Sequence, residues 1–348
     1  MLHRKPHVVV FYGGSSGNED LSTETGQWVC EYIPRSKYQV TPVEVTQDGK
    51  WKVPLGSLPT SGAVARVMQM LSKAVSPLVP AKALERLFTR PVDAFVSLLR
   101  GKGGDDGAMQ SLGQSFHIPV LGSSLATSQK TFDKHVCEHI LQDITSVPYS
   151  KFYKQGEAIS DILEDVRSFF MPPLFVKPSS QEGSVGVEEI QSMDELAAAI
   201  SHAKSRGDII IQEKQHGLEL AYTLVQDRRG NVQALPPTVI TPKTSYFYDH
   251  LAKRRAGRVN LSTVDTYENP AIAEAEAIAR DVYDELGCAG IVQIDMMAGD
   301  KGVDTLEVNT IPVLTELTPL KQQLKRAGLH PSLMFDDMIT RALEQGAN

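Results

Sequence analysis

Apolar and polar positions along this chain fall into short blocks of two periods. The run from His7 to Tyr12, apolar after its histidine, has the length of a strand buried on both faces, and a glycine-rich turn from Gly13 to Asn18 follows it. Val64, Val67, Met68, Leu71 and Val75 recur at helical spacing between prolines 54, 59, 77 and 80, which predicts one helix with irregular flanks. Pro91 to Leu99 reads as a second buried strand. The loop 100–107 leads from it into a helix starting near Ala108, and Phe116 to Leu121 reads as a third short strand. Strands alternating with helices predict a mostly parallel α/β lobe.

The second half continues the alternation. A single helix is expected over Ser128 to Gln142 with Phe132, Val136 and Ile140 on its inward face and Lys134 off that face. Pro172 to Pro178 reads as a strand carrying Lys177, followed by a Gly/Ser loop through Gly186. Ser192 to Glu195 has the pattern of a capping box before Leu196. Ile209 to Lys214 and Leu218 to Val225 are strand-like. Pro270 begins a helix that Gly287 ends, because proline suits the first helical position and glycine the exit. Ile291 to Met297 and Asp304 to Asn309 form a strand pair around Gly299 to Gly302, and a last helix follows Pro331.

At 348 residues the chain is long enough for two or three packed lobes. Its 41% apolar and 22% charged residues are those of an ordinary globular protein. A net charge of −7 argues against nucleic-acid binding by general phosphate neutralisation, although a local basic pocket stays compatible with it. Cys30, Cys137 and Cys288 are sparse, odd in number and far apart, the usage of reduced thiols in a cytoplasmic protein. The first apolar run is too short for a signal-peptide core or a membrane span, so no membrane partner is expected.

Candidate chemistry concentrates on the last strand pair. Glu307 and Asn309 are two apart and point to one face; if Asp295 on the neighbouring strand faces them, three oxygen-bearing side chains converge. Hard oxygen donors suit magnesium, which is commonly held by few protein groups plus phosphate oxygens and water. The same spacing also suits the solvent face of a plain hairpin. On this reading Ile294, Leu306 and Val308 belong to the buried opposite face. Lys177 ends an apolar strand just before Gly183, Ser184, Val185 and Gly186, where backbone amides could wrap a phosphate beside a compact positive charge. The P-loop signature is absent, as is the dinucleotide fingerprint after the first strand.

In order, Lys134, Lys177 with Gly183 to Gly186, Glu213 with Lys214, Asp295, and Glu307 with Asn309 resemble an ATP-grasp ligase, and more narrowly the D-alanine–D-alanine ligase family. Supporting blocks are Phe11 to Ser16, Gly103 to Gly107, Gly122-Ser123, Asp133-Lys134, Phe175 to Pro178, Phe247 to Asp249 and Leu306 to Pro312; together they span nearly the whole chain. The resemblance implies an α/β protein: a Rossmann-like pre-ATP-grasp domain over 1–122, a central ATP-grasp subdomain over 123–215 and a C-terminal catalytic subdomain over 216–348. It implies ATP between the last two, with Lys134 and Lys177 on its phosphates, Glu213 and Glu219 toward adenine and ribose, Lys214 also among the ATP-binding residues, and the 183–186 loop as a cover. It further implies Lys253 at the γ-phosphate, and Mg2+ (or Mn2+) on Asp295, Glu307 and Asn309. Small-molecule carboxylates and amines would be the partners, and the family's frequent dimerisation leaves a homodimer open.

The substrate end departs from the family pattern. Asn18 stands where a glutamate usually holds an ammonium, although Glu19 or Asp20 could reach in if the turn shifts. Arg100 replaces a histidine, Gly183 a serine, Arg254 a tyrosine, Gln293 an arginine that stabilises the tetrahedral intermediate, and Val313 a glycine, with Thr318 and Pro319 further along. Loss of a carboxylate and gain of Arg100 exchange an ammonium site for an anion site. A second role open to Arg100 is the oxyanion function that Gln293 cannot supply. The expected activity is therefore ATP-dependent carboxylate–amine ligation through an acyl phosphate, with altered substrates. A true D-alanine–D-alanine ligase with a rearranged pocket and a nucleotide-binding regulatory protein without ligase activity are the alternatives.

Overall fold

The computed structural model describes residues 4–181, 183–243, 247, 254, 257–266, 269–315 and 318–346. The first lobe contains β1 (His7–Gly13), α1 (Glu19–Tyr32), β2 (Gln39–Val45), β3 (Trp51–Lys52), α2 (Val64–Ala74), α3 (Pro80–Leu87), β4 (Ala94–Ser97) and α4 (Ala108–Ser115). Its sheet runs β3-β2-β1-β4, with β1 parallel to both neighbours and β3 antiparallel. The expected parallel lobe is therefore present. Among its unanticipated elements are β2, where Pro42 and Glu44 interrupt the apolar pattern, the two-residue β3, and α3, which turns one predicted helix into two. The predicted strand at 116–121 is a correction. Phe116 closes α4, and only Val120 bridges to Phe95, because Pro119 has no amide to extend the ladder.

Two short helices follow, α5 (Leu125–Phe132) and α6 (Lys134–Leu141). The continuous helix expected here is broken at Asp133, which has extended backbone and whose carboxylate accepts the amides of His135 and Val136. Those bonds satisfy donors that a helix start leaves open, so a new helix begins where the old one ends. The inward face is also corrected. Lys134, Cys137, Glu138 and Leu141 are buried, whereas Val136 is 43% exposed. The two charged groups tolerate burial because each has an ionic partner, described below.

The central lobe comprises β5 (Ser150–Tyr153), α7 (Ile159–Phe169), β6 (Leu174–Pro178), β7 (Glu188–Ile190), α8 (Leu196–Lys204) and β8 (Ile209–Glu213), with an antiparallel sheet ordered β5-β8-β6-β7. At the predicted capping box the two side chains bond one position early. Ser192 Oγ accepts the Asp194 amide and Glu195 accepts the Gln191 amide, forming a turn before α8 rather than its cap.

The third lobe is an antiparallel sheet of β9 (Leu218–Gln226), β10 (Val232–Ala234), β11 (Thr238–Pro242), β12 (Val259–Thr263), β13 (Ile291–Gly299) and β14 (Gly302–Asn309). It is backed by α9 (Pro270–Glu285), which Asn269 caps. Then come α10 (Pro319–Arg326) and α11 (Pro331–Gly346).

Core membership crosses this chain order. Cys137 and Leu141 of α6 pack with the β9/β13/β14 sheet and α9, and Phe335 and Ile339 of α11 share the core of β1 and α1. Phe335 meets Trp28 edge-on at 5.6 Å. Helix α6 is therefore packed on the β9/β13/β14 sheet, and α11 on the first lobe. All three cysteines are free and buried, and burial pushes each thiol up to about 12. Among the described residues no helix is long and apolar enough to cross a membrane.

Candidate active site

In the β13/β14 ladder Asp295 stands directly opposite Glu307, and Gln293 opposite Asn309. The ladder then slips, because Met296 pairs with Thr305 and leaves Leu306 as an extra residue. This bulge turns two consecutive residues, Leu306 and Glu307, to the same cleft, where a regular strand would show one. Leu306 is thus on the cleft side, not in the buried face expected from alternation. Gln293 Nε2 donates to Asp295 Oδ1 at 2.7 Å and Asn309 Nδ2 to Asp295 Oδ2 at 3.3 Å. Glu307 Oε1 receives Lys134 Nζ at 2.8 Å, and the same ammonium donates to the Gln181 carbonyl at 2.6 Å. Lys134 thereby ties the loop after β6 to β14.

The start of α6 is fixed by more than its own cap. Asp133 also accepts Ser179 Oγ at 2.6 Å and Ser180 Oγ at 3.0 Å, and the Lys134 amide donates to the Ser179 carbonyl at 2.9 Å. Burial acts to raise the Asp133 carboxyl, but the bonds from Ser179, Val136, Ser180 and His135 together hold it below the ordinary aspartate value. Lys177, on β6, reaches Glu138 Oε1 at 3.1 Å and Gln212 Oε1 at 3.1 Å. Glu138 is completed by Gln212 Nε2 at 2.8 Å and Ser150 Oγ at 2.6 Å. Sequence reasoning missed Glu138 and Gln212. The available signal was the alternative helical face Lys134, Cys137, Glu138, Leu141, whose polar members mark a buried ionic contact.

These side chains line a cleft of about 980 Å3, partly open to solvent, between the central and C-terminal sheets. Lys134, Lys177, Ser184, Glu213, Lys214, Glu219, Asp295 and Glu307 all face it, with Phe175, Phe247 and Met297 as apolar walls. Lys214 Nζ is held by Glu189 at 2.8 Å. Val185 and Gly186 belong to the same turn but do not line the cleft; Val187 does. Lys253, and Tyr248 and Asp249 before it, lie outside the described residues.

A second pocket, of about 400 Å3, opens on the other side of Asp295. Its walls are Arg100, Gly183, Gln293, Asn309, Pro312, Val313, Thr318 and Pro319, so six of the residues singled out at the substrate end meet here. Arg100 is buried, and its Nη1 donates to the Ile311 carbonyl. Beneath it Asp105 accepts the Gly101 amide at 2.6 Å, and burial pushes its carboxyl up to about 6 against the pull of Arg100. Thr318 Oγ1 is spent on the main chain at Val313 and Thr315, which shapes the wall.

Asn18 and Arg254 stand behind Gly183 and do not line the pocket. Arg254 Nη2 donates to Asn18 Oδ1 at 2.9 Å, and Arg254 clasps Asp20 at 2.9 and 3.2 Å. A Cβ on Gly183, where φ is +68°, would fall 2.5 Å from Asn18 Oδ1. Gly183 is therefore matched to Asn18. The first glycine turn is structural: Gly13 has φ +91°, and a Cβ there would meet the Val45 carbonyl at 2.3 Å.

The oxygen donors of Asp295, Glu307 and Asn309 fit a hard divalent cation. Among the described residues no three His, Cys, Asp or Glu side chains gather for a metal, so a cation held here would take the Asn309 amide oxygen as a third protein donor and would need ligand oxygens from elsewhere. A cleft with two paired ammonium groups at one wall suits a polyphosphate that can supply them.

Comparison with known proteins identifies the family. The family model described as D-ala D-ala ligase C-terminus matches residues 141–340, and that described as D-ala D-ala ligase N-terminus matches residues 7–123. The D-alanine--D-alanine ligase A of Mesorhizobium japonicum is 26% identical over 98% of both chains. The D-alanine--D-alanine ligase of Corynebacterium aurimucosum is 27% identical over 99% of both. Among solved structures, the VanG D-Ala:D-Ser ligase from Enterococcus faecalis superposes with a TM-score of 0.81 at 25% identity, covering 97% of this chain and 100% of that one.

Proposed function

Because this chain belongs to the D-alanine–D-alanine ligase family of ATP-dependent ligases, we propose that it joins a carboxylic acid to an amine through an acyl phosphate, with a substrate pair other than two D-alanines. The observation that carries this reading is the position of Asp295, which is shared by the larger cleft and the smaller pocket. ATP in the cleft would point its γ-phosphate at an acid in the pocket.

In the first step a carboxylate oxygen attacks the γ-phosphorus, and ADP leaves with the electron pair of the broken β–γ bridge bond. The amine nitrogen then attacks the acyl carbon; phosphate leaves with the carbon–oxygen pair, and the surplus amine proton passes to solvent. Lys134 and Lys177 hold the phosphates, with the turn at Ser184 covering them. Glu213, Lys214 and Glu219 receive the nucleoside end. Lys253 keeps its assignment at the γ-phosphate from the family pattern alone. Asp295, Glu307 and Asn309 would hold Mg2+, or Mn2+, which when bound neutralises phosphate charge. Before nucleotide arrives, Glu138 and Glu307 keep the two buried ammonium groups compensated, and that pairing preorganises the site.

Gln293 and Asn309, both neutral amides on Asp295, leave Arg100 as the cation among the described walls of the pocket. This is what favours altered substrates over the D-alanine pair. Buried reduced thiols and ATP dependence support a cytoplasmic location, while a homodimer rests on the family alone.

The test is ADP release with pairs of acids and amines, read together with product mass. Turnover of D-alanine alone at ordinary family rates would sink the altered-substrate reading. ATP binding without ADP formation across a broad panel would instead favour a regulatory protein.

A further inference from the structure

Gln293 stands on the substrate side of the shared aspartate. It lines the smaller pocket and not the cleft, whereas Asp295 lines both. The two residues are two apart on β13, and the ladder slips only beyond Asp295, so both point to one face of the sheet. Gln293 Nε2 donates to Asp295 Oδ1 at 2.7 Å. That bond fixes the amide. An ionised carboxylate can only accept, so the nitrogen arm must face Asp295 and the oxygen arm, Oε1, turns away from it.

Among the described residues nothing donates to Gln293 Oε1. Its neighbours across the sheet do not supply a proton. Asn309, opposite on β14, gives Nδ2 to Asp295 Oδ2 at 3.3 Å, and Thr223, opposite on β9, is buried with a hydroxyl that has no hydrogen-bond partner. Thr318, on another wall of the pocket, gives its hydroxyl to the main-chain carbonyls of Val313 and Thr315. The half-buried Gln293 thus brings an acceptor to the pocket beside the carboxylate that joins it to the cleft. Of the reacting groups in a carboxylate–amine ligation, the carboxylate and the acyl phosphate offer only oxygens. The amine alone brings N–H donors.

We propose that Gln293 orients the attacking nucleophile, with Oε1 accepting an N–H of a primary amine and turning the nitrogen lone pair toward the acyl carbon. The inference rests on the ligase reading above, so its test separates the two. As the nitrogen–carbon bond forms, the carbon–oxygen bond to phosphate breaks and its electron pair leaves with phosphate. One proton on nitrogen goes to solvent, and the second N–H, kept in the amide product, stays on Oε1. A secondary amine loses its single N–H in the same step and the contact with it, which makes the site selective for primary amines.

The full-length enzyme with ATP and Mg2+ is assayed with D-alanine, D-lactate, propionate or succinate as acid and glycine, D-serine or ethylamine as amine. For the pair that the wild type couples fastest, ADP released is compared with amide formed, read by mass. The wild type should release about one ADP per amide. Gln293→Met lacks both arms of the amide; its ADP release should slow, and ADP per amide should rise about five- to tenfold as acyl phosphate is lost to water, the value of one hydrogen bond. Gln293→Glu keeps an acceptor but gives nothing to Asp295, so its ADP release should slow and stay coupled to amide. The N-methyl form of the same amine should uncouple the wild type as Gln293→Met does. A role confined to holding Asp295 slows both products together. Coupled turnover in Gln293→Met, equal uncoupling in both variants, or an N-methyl amine coupled as well as its parent therefore overturns the inference and leaves the ligase reading standing. No amide from any wild-type pair, in enzyme whose melting temperature still rises with an ATP analogue, overturns the ligase reading and the inference with it.

Discussion

Glu138→Gln isolates the charge that compensates Lys177 while keeping side-chain volume. Glu138 Oε1 serves both Lys177 Nζ at 3.1 Å and Gln212 Nε2 at 2.8 Å, and Oε2 serves Ser150 Oγ at 2.6 Å. The contact joins α6 to β5, β6 and β8, and the lysine and glutamate side chains are only 9% and 5% exposed. In the variant the ammonium keeps Gln212 Oε1 at 3.1 Å and a neutral amide oxygen, but no counter-charge. Removing one partner of a buried pair costs about 3–5 kcal/mol. At roughly 2 °C per kcal/mol for a large domain, the melting temperature should fall by about 6–10 °C.

Nucleotide changes the sum. If Lys177 meets the phosphates, ATP supplies the anion that the variant lacks, so the variant gains more from binding than the wild type does. Thermal unfolding is measured for both proteins with and without a saturating non-hydrolysable ATP analogue and Mg2+. The gap between them should narrow by several degrees when nucleotide is present. An unchanged gap would refute the assignment of Lys177 to the phosphates, and a gap near zero without nucleotide would refute the compensating role of Glu138.

Three further perturbations probe other parts of the site. Glu307→Gln removes charge from both the metal donor set and the Lys134 ion pair at 2.8 Å; ADP release titrated with Mg2+ should show a sharp loss of turnover, and wild-type rates would refute the metal assignment. Gly183→Ala places a Cβ 2.5 Å from Asn18 Oδ1 at a φ of +68° and should cost about 1–2 kcal/mol from backbone strain alone, measured by urea denaturation. Adding Asn18→Ala should recover part of that loss, whereas strict additivity would contradict the contact. Asp133→Asn weakens the cap and both serine contacts, for about 1–2 kcal/mol at neutral pH. Because the folded-state carboxyl is held below the ordinary 3.8, the stability it contributes is fully present above that value and is lost as pH falls through its lower folded value. The gap between wild type and variant should therefore close in that acid window, and a constant gap from pH 7 to pH 2 would contradict it.

Local periodicity and turn chemistry carried much of the fold. The strand pair with Asp295, Glu307 and Asn309, the Lys177 strand with its glycine loop, and the helix from Pro270 to Glu285 are all legible because strand alternation, proline at a helix start and glycine turns act over a few residues. Those signals placed the candidate residues on their strands, and the resemblance to the ligase family then proposed them as the nucleotide end. They did not reveal the helix break at Asp133, since its cause is partly the serines 46 and 47 residues further along. Lys134 was expected off the buried face, and its burial depends on Glu307, which is distant in sequence.

The chain alone therefore determined the candidate charges and oxygens and the strands that present them. Only tertiary structure decided how those groups pair. It slipped the ladder so that Leu306 and Glu307 share the cleft, set Gly183 against Asn18, and gave Asp20 to Arg254. The physical reason is range: periodicity is a property of neighbouring residues, whereas a buried charge is tolerated only where the folded chain brings a distant partner to it.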